Sequence, residues 1–335
     1  MAGETRIRTI DAHAAGEPLR LIVDGFPPVK GRTMLEKREY VRSRHDGLRR
    51  ALMLEPRGHA DMYGALLTEP VTPGADAGVL FMHNEGYSTM CGHGVIAVVT
   101  IAIERGLLTV RDGQQEIVLD SPAGPVRAQV ARRPDGRVGS VRFTNVPSFV
   151  LHAGVPVHAR DRQLRADVAF GGAFYAIVDS EAAGLRLDAR ALPEIRRAGM
   201  EIKAQVEAAL TIVHPVEAGL KGIYGTIFTG PAEAPGADLK NVTVFADAEI
   251  DRSPCGTGTC AVMAVLDAMG LLPEGQSFTH ESIVGTTFRG RVLGRCEVAE
   301  LPAILPEVEG SAWITGEHTF IVQEDDVLKD GFRLY

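Results

Sequence analysis

The sequence predicts an α/β protein made of two similar halves, each a sheet wrapped around one buried helix. Three observations predict it: a gapless internal repeat offset by about half the chain, a glycine-delimited apolar helix in each copy, and strand-like runs on both sides of those helices. The chain has 335 residues, long for one core and comfortable for two domains. Hydrophobic residues make up 45% and charged residues 23%, which supplies core for both halves and argues against disorder.

The repeat begins at Cys91 and at Cys255. Cys91-Gly92-His93-Gly94 and Cys255-Gly256-Thr257-Gly258 share one form, and identity returns at Ala97/Ala261, Val98/Val262, Gly106/Gly270, Leu107/Leu271 and Leu108/Leu272. Each copy reads as a Gly-rich turn, a helix and a Gly stop. Both helices are small or apolar nearly all round, the pattern of a buried helix. Strand-like runs span Thr9–Val23, Gly78–Met82, Glu116–Val130, Ser140–Val150, Val168–Val178, Asn241–Phe245 and Ala312–Val322, punctuated by Gly124, Pro147, Gly171 and Gly172. The expected organisation is an N-terminal lobe over 1–160 carrying Cys91 and a C-terminal lobe over 161–320 carrying Cys255. Residues 321–335 form a tail that can return to the first lobe. Halves related by a pseudo-twofold axis bring equivalent helix N-termini to one space, so the active site is expected between the lobes.

The net charge of −8 argues against a nucleic-acid binder, which needs clustered Lys and Arg. The basic stretch from Lys37 to Arg50 is broken by acidic residues and reads as a solvated helix face. No apolar run reaches the ~18 residues of a membrane span, and no apolar signal core follows the N-terminus, so a cytoplasmic, reduced protein is expected. The four cysteines are Cys91, Cys255, Cys260 and Cys296. Cys255 and Cys260 lack the close pairing of zinc knuckles, so no metal site is expected. No nucleotide, pyridoxal or flavin signature stands out, so no cofactor is expected either.

Cys260, one turn inside its helix, and Cys296, in a strand context, read as small hydrophobes. Cys91 and Cys255 each open a helix. Unpaired N–H groups and the helix dipole there are expected to lower a thiol pKa from about 8.5 to about 4–7. The same N–H groups form a cradle for a carboxylate, and the glycines let it approach. Two thiols facing one carbon suit stereoinversion: one takes a proton from one face, the other delivers one to the opposite face. His93 and Asp251 flank the two thiols as polar candidates, Asp251 being suited to hold a substrate amine.

Met90-Cys91-Gly92-His93 and Asp251-Arg252-Ser253-Pro254-Cys255-Gly256-Thr257-Gly258 resemble the two signatures of the proline racemase family. That family takes in proline racemases, 4-hydroxyproline 2-epimerases and trans-3-hydroxy-L-proline dehydratases. Glu55–His59, Asn145–Phe149, Phe170–Phe174 and Asp330–Phe332 match as well, so the resemblance covers nearly the whole chain. It implies the diaminopimelate-epimerase-like fold, two α/β lobes each with a curled mixed sheet around a central helix. It implies that Cys91 and Cys255 are the acid/base pair, without a cofactor. It also implies that His93 and Asp251 contact the ring nitrogen and that Gly92, His93, Gly256 and Thr257 cradle the carboxylate. The implied partner is a small molecule, proline or hydroxyproline, and the family admits a homodimer.

Within the family, dedicated dehydratases typically carry Thr where this chain has Cys255, because elimination needs no donor on the second face. Cys255 therefore points to racemisation or 2-epimerisation. His83–Ser88 and Gln323–Asp326 look more like the dehydratase branch. Both signals fit an enzyme that inverts C2 and also dehydrates trans-3-hydroxy-L-proline; a dedicated dehydratase giving pyrroline-2-carboxylate is the alternative. A non-catalytic binding protein would not need both thiols, and a redox protein would favour an adjacent Cys-x-x-Cys pair. His83–Ser88 and Tyr224–Thr229 are the candidate segments for ring specificity.

Overall fold

A computed structural model describes residues 3–108 and 116–334. In chain order the elements are β1 (Glu4–Ala14), β2 (Glu17–Asp24), α1 (Met34–Arg44), α2 (Asp46–Met53), β3 (Tyr63–Thr68), β4 (Ala77–His83), β5 (Tyr87–Ser88) and α3 (Gly92–Glu104). There follow β6 (Glu116–Ser121), β7 (Gly124–Arg132), β8 (Val138–Thr144), β9 (Ser148–Ala159), β10 (Arg162–Phe170), β11 (Phe174–Asp179) and α4 (Leu192–Ala209). The chain ends with β12 (Ile223–Gly230), β13 (Leu239–Phe245), β14 (Glu249–Asp251), α5 (Gly256–Ala268), β15 (Ser277–Glu281), β16 (Thr287–Val298), β17 (Leu301–Gly310) and β18 (Ala312–Gln323).

By contact the described chain divides into two compact units. One takes in the residues up to Met90, Gly94–Val141 and the chain from Ser311 onward; the other takes in Cys91–His93 and Arg142–Gly310. In the first unit β1 pairs antiparallel with β18 from Glu4↔Gln323 to Ala14↔Ala312, and with β2 through a tight turn. Ala15 and Gly16 make that turn with φ of 51° and 96°, the left-handed pair that two-residue hairpins favour. β2 runs parallel to β3, β3 antiparallel to β4, and β4 parallel to β6, with α3 in the crossover between the last two. From Val95 to Ala102 the apolar residues of α3 are fully buried, as its all-round pattern predicts.

In the second unit the pairings run β9–β10–β11–β12–β13–β15–β16–β17 and return from β17 to β9 at Ala303↔Phe149. The sheet of this unit is therefore closed, which removes its edges. Helix α5 packs on β9, β10, β11, β16 and β17, and so forms the core of that closed sheet. Gly171 is what lets α5 come so near: a Cβ there would strike the Thr257 carbonyl and the Ala261 nitrogen. Positive φ at Gly106 (67°) and Gly270 (73°) ends the turn after each central helix, as the two glycine stops predict.

Several expected strands are hairpins rather than single runs. Thr9–Val23 is β1 and β2, Glu116–Val130 is β6 and β7, and Val168–Val178 is β10 and β11. Helix α4 was not evident as a run, yet Ile195, Ala198, Gly199, Ile202 and Val206 form its buried stripe at helical spacing. The basic stretch over α1 and α2 is only partly a solvated face. Lys37 and Arg49 are buried, because their head groups donate to backbone carbonyls: Lys37 to Glu69, and Arg49 to His83 and Asn84. Among the described residues no helix is long and apolar enough to cross a membrane.

Candidate active site

All four cysteines are free thiols; Cys91, Cys255 and Cys260 are buried and Cys296 is exposed. The second unit holds both Cys-Gly turns. They meet at their glycines: a Cβ built on Gly92 would lie 2.6 Å from the Gly256 Cα, and one on Gly256 would lie 2.6 Å from the Gly92 Cα. Side chains are thus excluded from both positions, and the first turns of two helices, with their positive dipole ends, come together. The structure therefore brings Cys91, Gly92, His93, Cys255, Gly256 and Thr257 into one neighbourhood.

Around Cys91 the notable contact is with His93, whose Nδ1 lies 3.2 Å from Sγ. An imidazole at that distance can share the thiol proton in either direction. Around Cys255 the sulfur accepts from the Gly258 N–H at 3.3 Å and lies 3.7 Å from the Tyr175 hydroxyl and 3.9 Å from the Thr257 hydroxyl. Gly258 makes room for that sulfur, since a Cβ there would sit 2.8 Å from it.

Asp251 ends β14 opposite Thr243 of β13 and is buried. Its Oδ1 accepts from the Ser253 N–H at 2.8 Å and the Ser253 hydroxyl at 2.7 Å, and Ser253 Oγ in turn accepts from the Cys255 N–H at 3.1 Å. This turn ties the carboxyl to the thiol. Burial pushes the Asp251 carboxyl up to about 6, against the pull of the Ser253 hydrogen bonds.

The expected depression of the thiol pKa does not hold for Cys255. Burial pushes this thiol up, and the Asp251 carboxylate pushes it further; Tyr175, the Gly258 N–H and Thr243 pull the other way but do not prevail. The helix-terminus effect loses because desolvation of the anion outweighs a partial charge. Burial likewise takes the Cys260 thiol up to about 12.

A second layer, silent in the sequence reading, fixes the backbone before Cys255. The Pro254 carbonyl accepts from Asn241 Nδ2 at 2.9 Å and from the Thr259 hydroxyl at 3.1 Å. Thr259 Oγ1 also lies 2.9 Å from His280 Nδ1. Thr259 has one proton for these two neighbours, and giving it to Pro254 leaves the His280 Nδ1–H as the donor to Thr259. Burial lowers the His280 pKa to about 3, consistent with a neutral ring. Tyr175 was missed too. Its strand and the Gly171-Gly172 pair before it are visible in the sequence, but its reach to Cys255 depends on strand β11 lying beside α5.

The two segments named for ring specificity are held firmly. Asn84 donates to the Met53 and His59 carbonyls at 2.6 and 3.1 Å and accepts from the Met62 N–H at 2.9 Å, and the Tyr63 hydroxyl bonds that of Ser88. Tyr224 stands edge-on to Tyr175 at 5.8 Å and 89°. Among the described residues no group of three or more His, Cys, Asp or Glu side chains is placed to hold a metal ion.

Comparison with known proteins gives a consistent result. The sequence profile of the family described as Proline racemase matches residues 9–333. A trans-3-hydroxy-L-proline dehydratase of Bacillus thuringiensis subsp. konkukian is 51% identical over 326 residues, covering 97% of each chain. A proline racemase of Clostridioides difficile is 41% identical over 330 residues, covering 98% of each. The crystal structure of a hydroxyproline epimerase from Agrobacterium vitis, with bound trans-4-hydroxy-L-proline, superposes with a TM-score of 0.91 at 31% identity, covering 100% of this chain and 97% of that one. The α/β fold, diaminopimelate-epimerase-like, is the one expected from the sequence.

Proposed function

The chain belongs to the proline racemase family, and from that premise we propose that it moves the α-proton of a pyrrolidine-2-carboxylate between two thiols. It inverts C2 of proline or hydroxyproline, and on trans-3-hydroxy-L-proline it also expels the 3-hydroxyl. The observation that carries this reading is the meeting of the two Cys-Gly turns at Gly92 and Gly256, with a buried thiol on each.

In this reading the substrate carboxylate lies on the N–H groups of Gly92, His93, Gly256 and Thr257, where two helix termini add positive potential. Delocalisation into that carboxylate stabilises the carbanion. Cys91 takes the α-proton as thiolate, with His93 holding the proton balance at its sulfur. Cys255 rests as a neutral thiol, because burial and Asp251 oppose its ionisation, and so is suited to give a proton to the opposite face. Asp251 receives the ring ammonium. That ion pair neutralises the carboxylate charge that burdens Cys255, so binding substrate eases the ionisation that catalysis requires.

A 3-hydroxyl trans to the carboxylate stands on the same ring face as the α-hydrogen. The carbanion made by Cys91 can therefore release hydroxide on that face, where the Cys91 thiol can supply a proton to form water. The resulting enamine tautomerises to pyrroline-2-carboxylate. Cys255 has no part in that branch and competes with it by protonating the other face. The 51% identity to a relative named as a dehydratase supports the second branch, and the presence of Cys255 supports the first.

The test is a panel of L-proline, trans-4-hydroxy-L-proline and trans-3-hydroxy-L-proline, read for inversion and for pyrroline formation. Inversion of at least one substrate, with pyrroline from the 3-hydroxy compound, is expected. Pyrroline formation with no inversion of any substrate would leave the dedicated dehydratase as the reading.

A further inference from the structure

We infer that Tyr175 is a third catalytic group of this site: its hydroxyl becomes the hydrogen-bond donor to the Cys255 sulfur once that thiol has given up its proton. This inference rests on the two-thiol reading and deepens it, because it names a residue that sets how often the carbanion is captured with inversion.

The geometry is a chain of three rotors. Tyr175 of β11 is fully buried, its hydroxyl 3.7 Å from Cys255 Sγ and 2.7 Å from Thr257 Oγ1. A phenol has one proton to give. With Cys255 protonated, S–H points at the Tyr175 oxygen, and Tyr175 spends its own proton on Thr257. When the carbanion takes the thiol proton, a Cα–H bond forms, the S–H bond breaks and the electron pair stays on sulfur. The new thiolate keeps the Gly258 N–H at 3.3 Å and the pull of Thr243, and a further donor stabilises it more. Rotation about the Tyr175 C–O bond swings that proton from Thr257 to sulfur; no proton leaves tyrosine and no further reactant is required. The edge-on contact with Tyr224 at 5.8 Å holds the ring still, so only the hydroxyl hydrogen moves.

Hydrogen bonds to a charged partner are about twice as strong as neutral ones, so the exchange favours the thiolate state. Cys91 is served differently, by an imidazole 3.2 Å from its sulfur. Loss of the Tyr175 hydroxyl therefore penalises proton delivery from the Cys255 face selectively, and the carbanion returns more often to its starting configuration.

Tyr175→Phe keeps the ring and its packing and removes only the donor. In D2O, with a substrate that the wild type inverts, NMR separates inversion from deuterium uptake at Cα with retention. The ratio of inversion to retentive exchange is expected to fall about tenfold or more. Equal loss of both rates with an unchanged ratio, as simple structural damage gives, overturns the assignment. Thr257→Val supplies a second reading: without its resting acceptor the Tyr175 proton stays on sulfur, and iodoacetamide should alkylate Cys255 several-fold faster than in wild type. Slower alkylation there also overturns it. A wild type that forms pyrroline without inverting anything contradicts the two-thiol reading itself; a wild type that inverts, with the ratio unmoved in Tyr175→Phe, contradicts only the role of Tyr175.

Discussion

Cys255 stands at φ 59°, a conformation that L side chains rarely adopt, directly before α5. Strain of this kind persists only where the surroundings over-determine it, and here the Pro254 carbonyl is held by Asn241 and Thr259 while the Cys255 N–H is held by Ser253. Asp251 adds an electrostatic cost. Its folded pKa of about 6 lies above the ordinary 3.8, so its contribution to stability is complete below about 3.8 and is lost as pH climbs through about 6. Asp251→Asn should therefore raise stability at pH 8 by about 1–3 kcal/mol, with the gain vanishing near pH 3.5, as followed by denaturant unfolding. The same variant should lose at least ~10²-fold in turnover, because in the proposed reaction the ring ammonium would lose its anion. In the wild type kcat/KM should rise with pH through about 6 as this carboxyl ionises. A flat profile from pH 5 to 7 would separate Asp251 from substrate binding.

At the scale of elements, the two central helices and the glycines at their starts carry the design. Gly256→Ala puts a Cβ 2.6 Å from the Gly92 Cα, a clash of backbone with side chain that no rotamer relieves. It should cost about 1–3 kcal/mol in unfolding free energy and remove most activity, by forcing the two turns apart. Retained activity with unchanged stability would mean that the turns need not meet. These helices were legible because each is apolar all round and bracketed by glycine. The hairpins were not: the Ala15-Gly16 turn sits inside a stretch, Thr9 to Val23, that is strand-like on both sides of it, and positive φ at both residues makes the reversal. Helix α4 was hidden because charged residues at Arg196, Arg197, Glu201 and Lys203 dilute a stripe that is nonetheless regular. Lys37 and Arg49 misled for another reason: their burial depends on carbonyls from β4 and the loop before it, which no local window contains.

At the scale of the molecule, neither unit is one stretch of sequence. Strand β18 comes back to pair with all 11 residues of β1, so the last part of the chain completes the sheet that the first part starts. A chain cut after Gly310 should leave β1 without that partner and lose cooperative unfolding; a truncated protein with an intact transition would show the strand to be dispensable. The two thiols and the glycines beside them were readable from the repeat, because duplication marks equivalent positions; His93, which faces Thr257 in that alignment, was singled out by its place two residues after Cys91 and by the family resemblance. The second layer of Asn241, Thr259, His280 and Tyr175 was not, because those residues converge on Cys255 from β11, β13, β15 and α5 only after the sheet closes.

The proposed reaction turns on one carbanion shared between two thiols, and Cys255→Thr tests it most directly. With trans-3-hydroxy-L-proline in D2O, the variant should lose inversion at C2 by at least ~10³-fold while still forming pyrroline-2-carboxylate, and Cys91→Ala should lose both. Inversion that survives in Cys255→Thr, or dehydration that disappears along with it, would contradict the account.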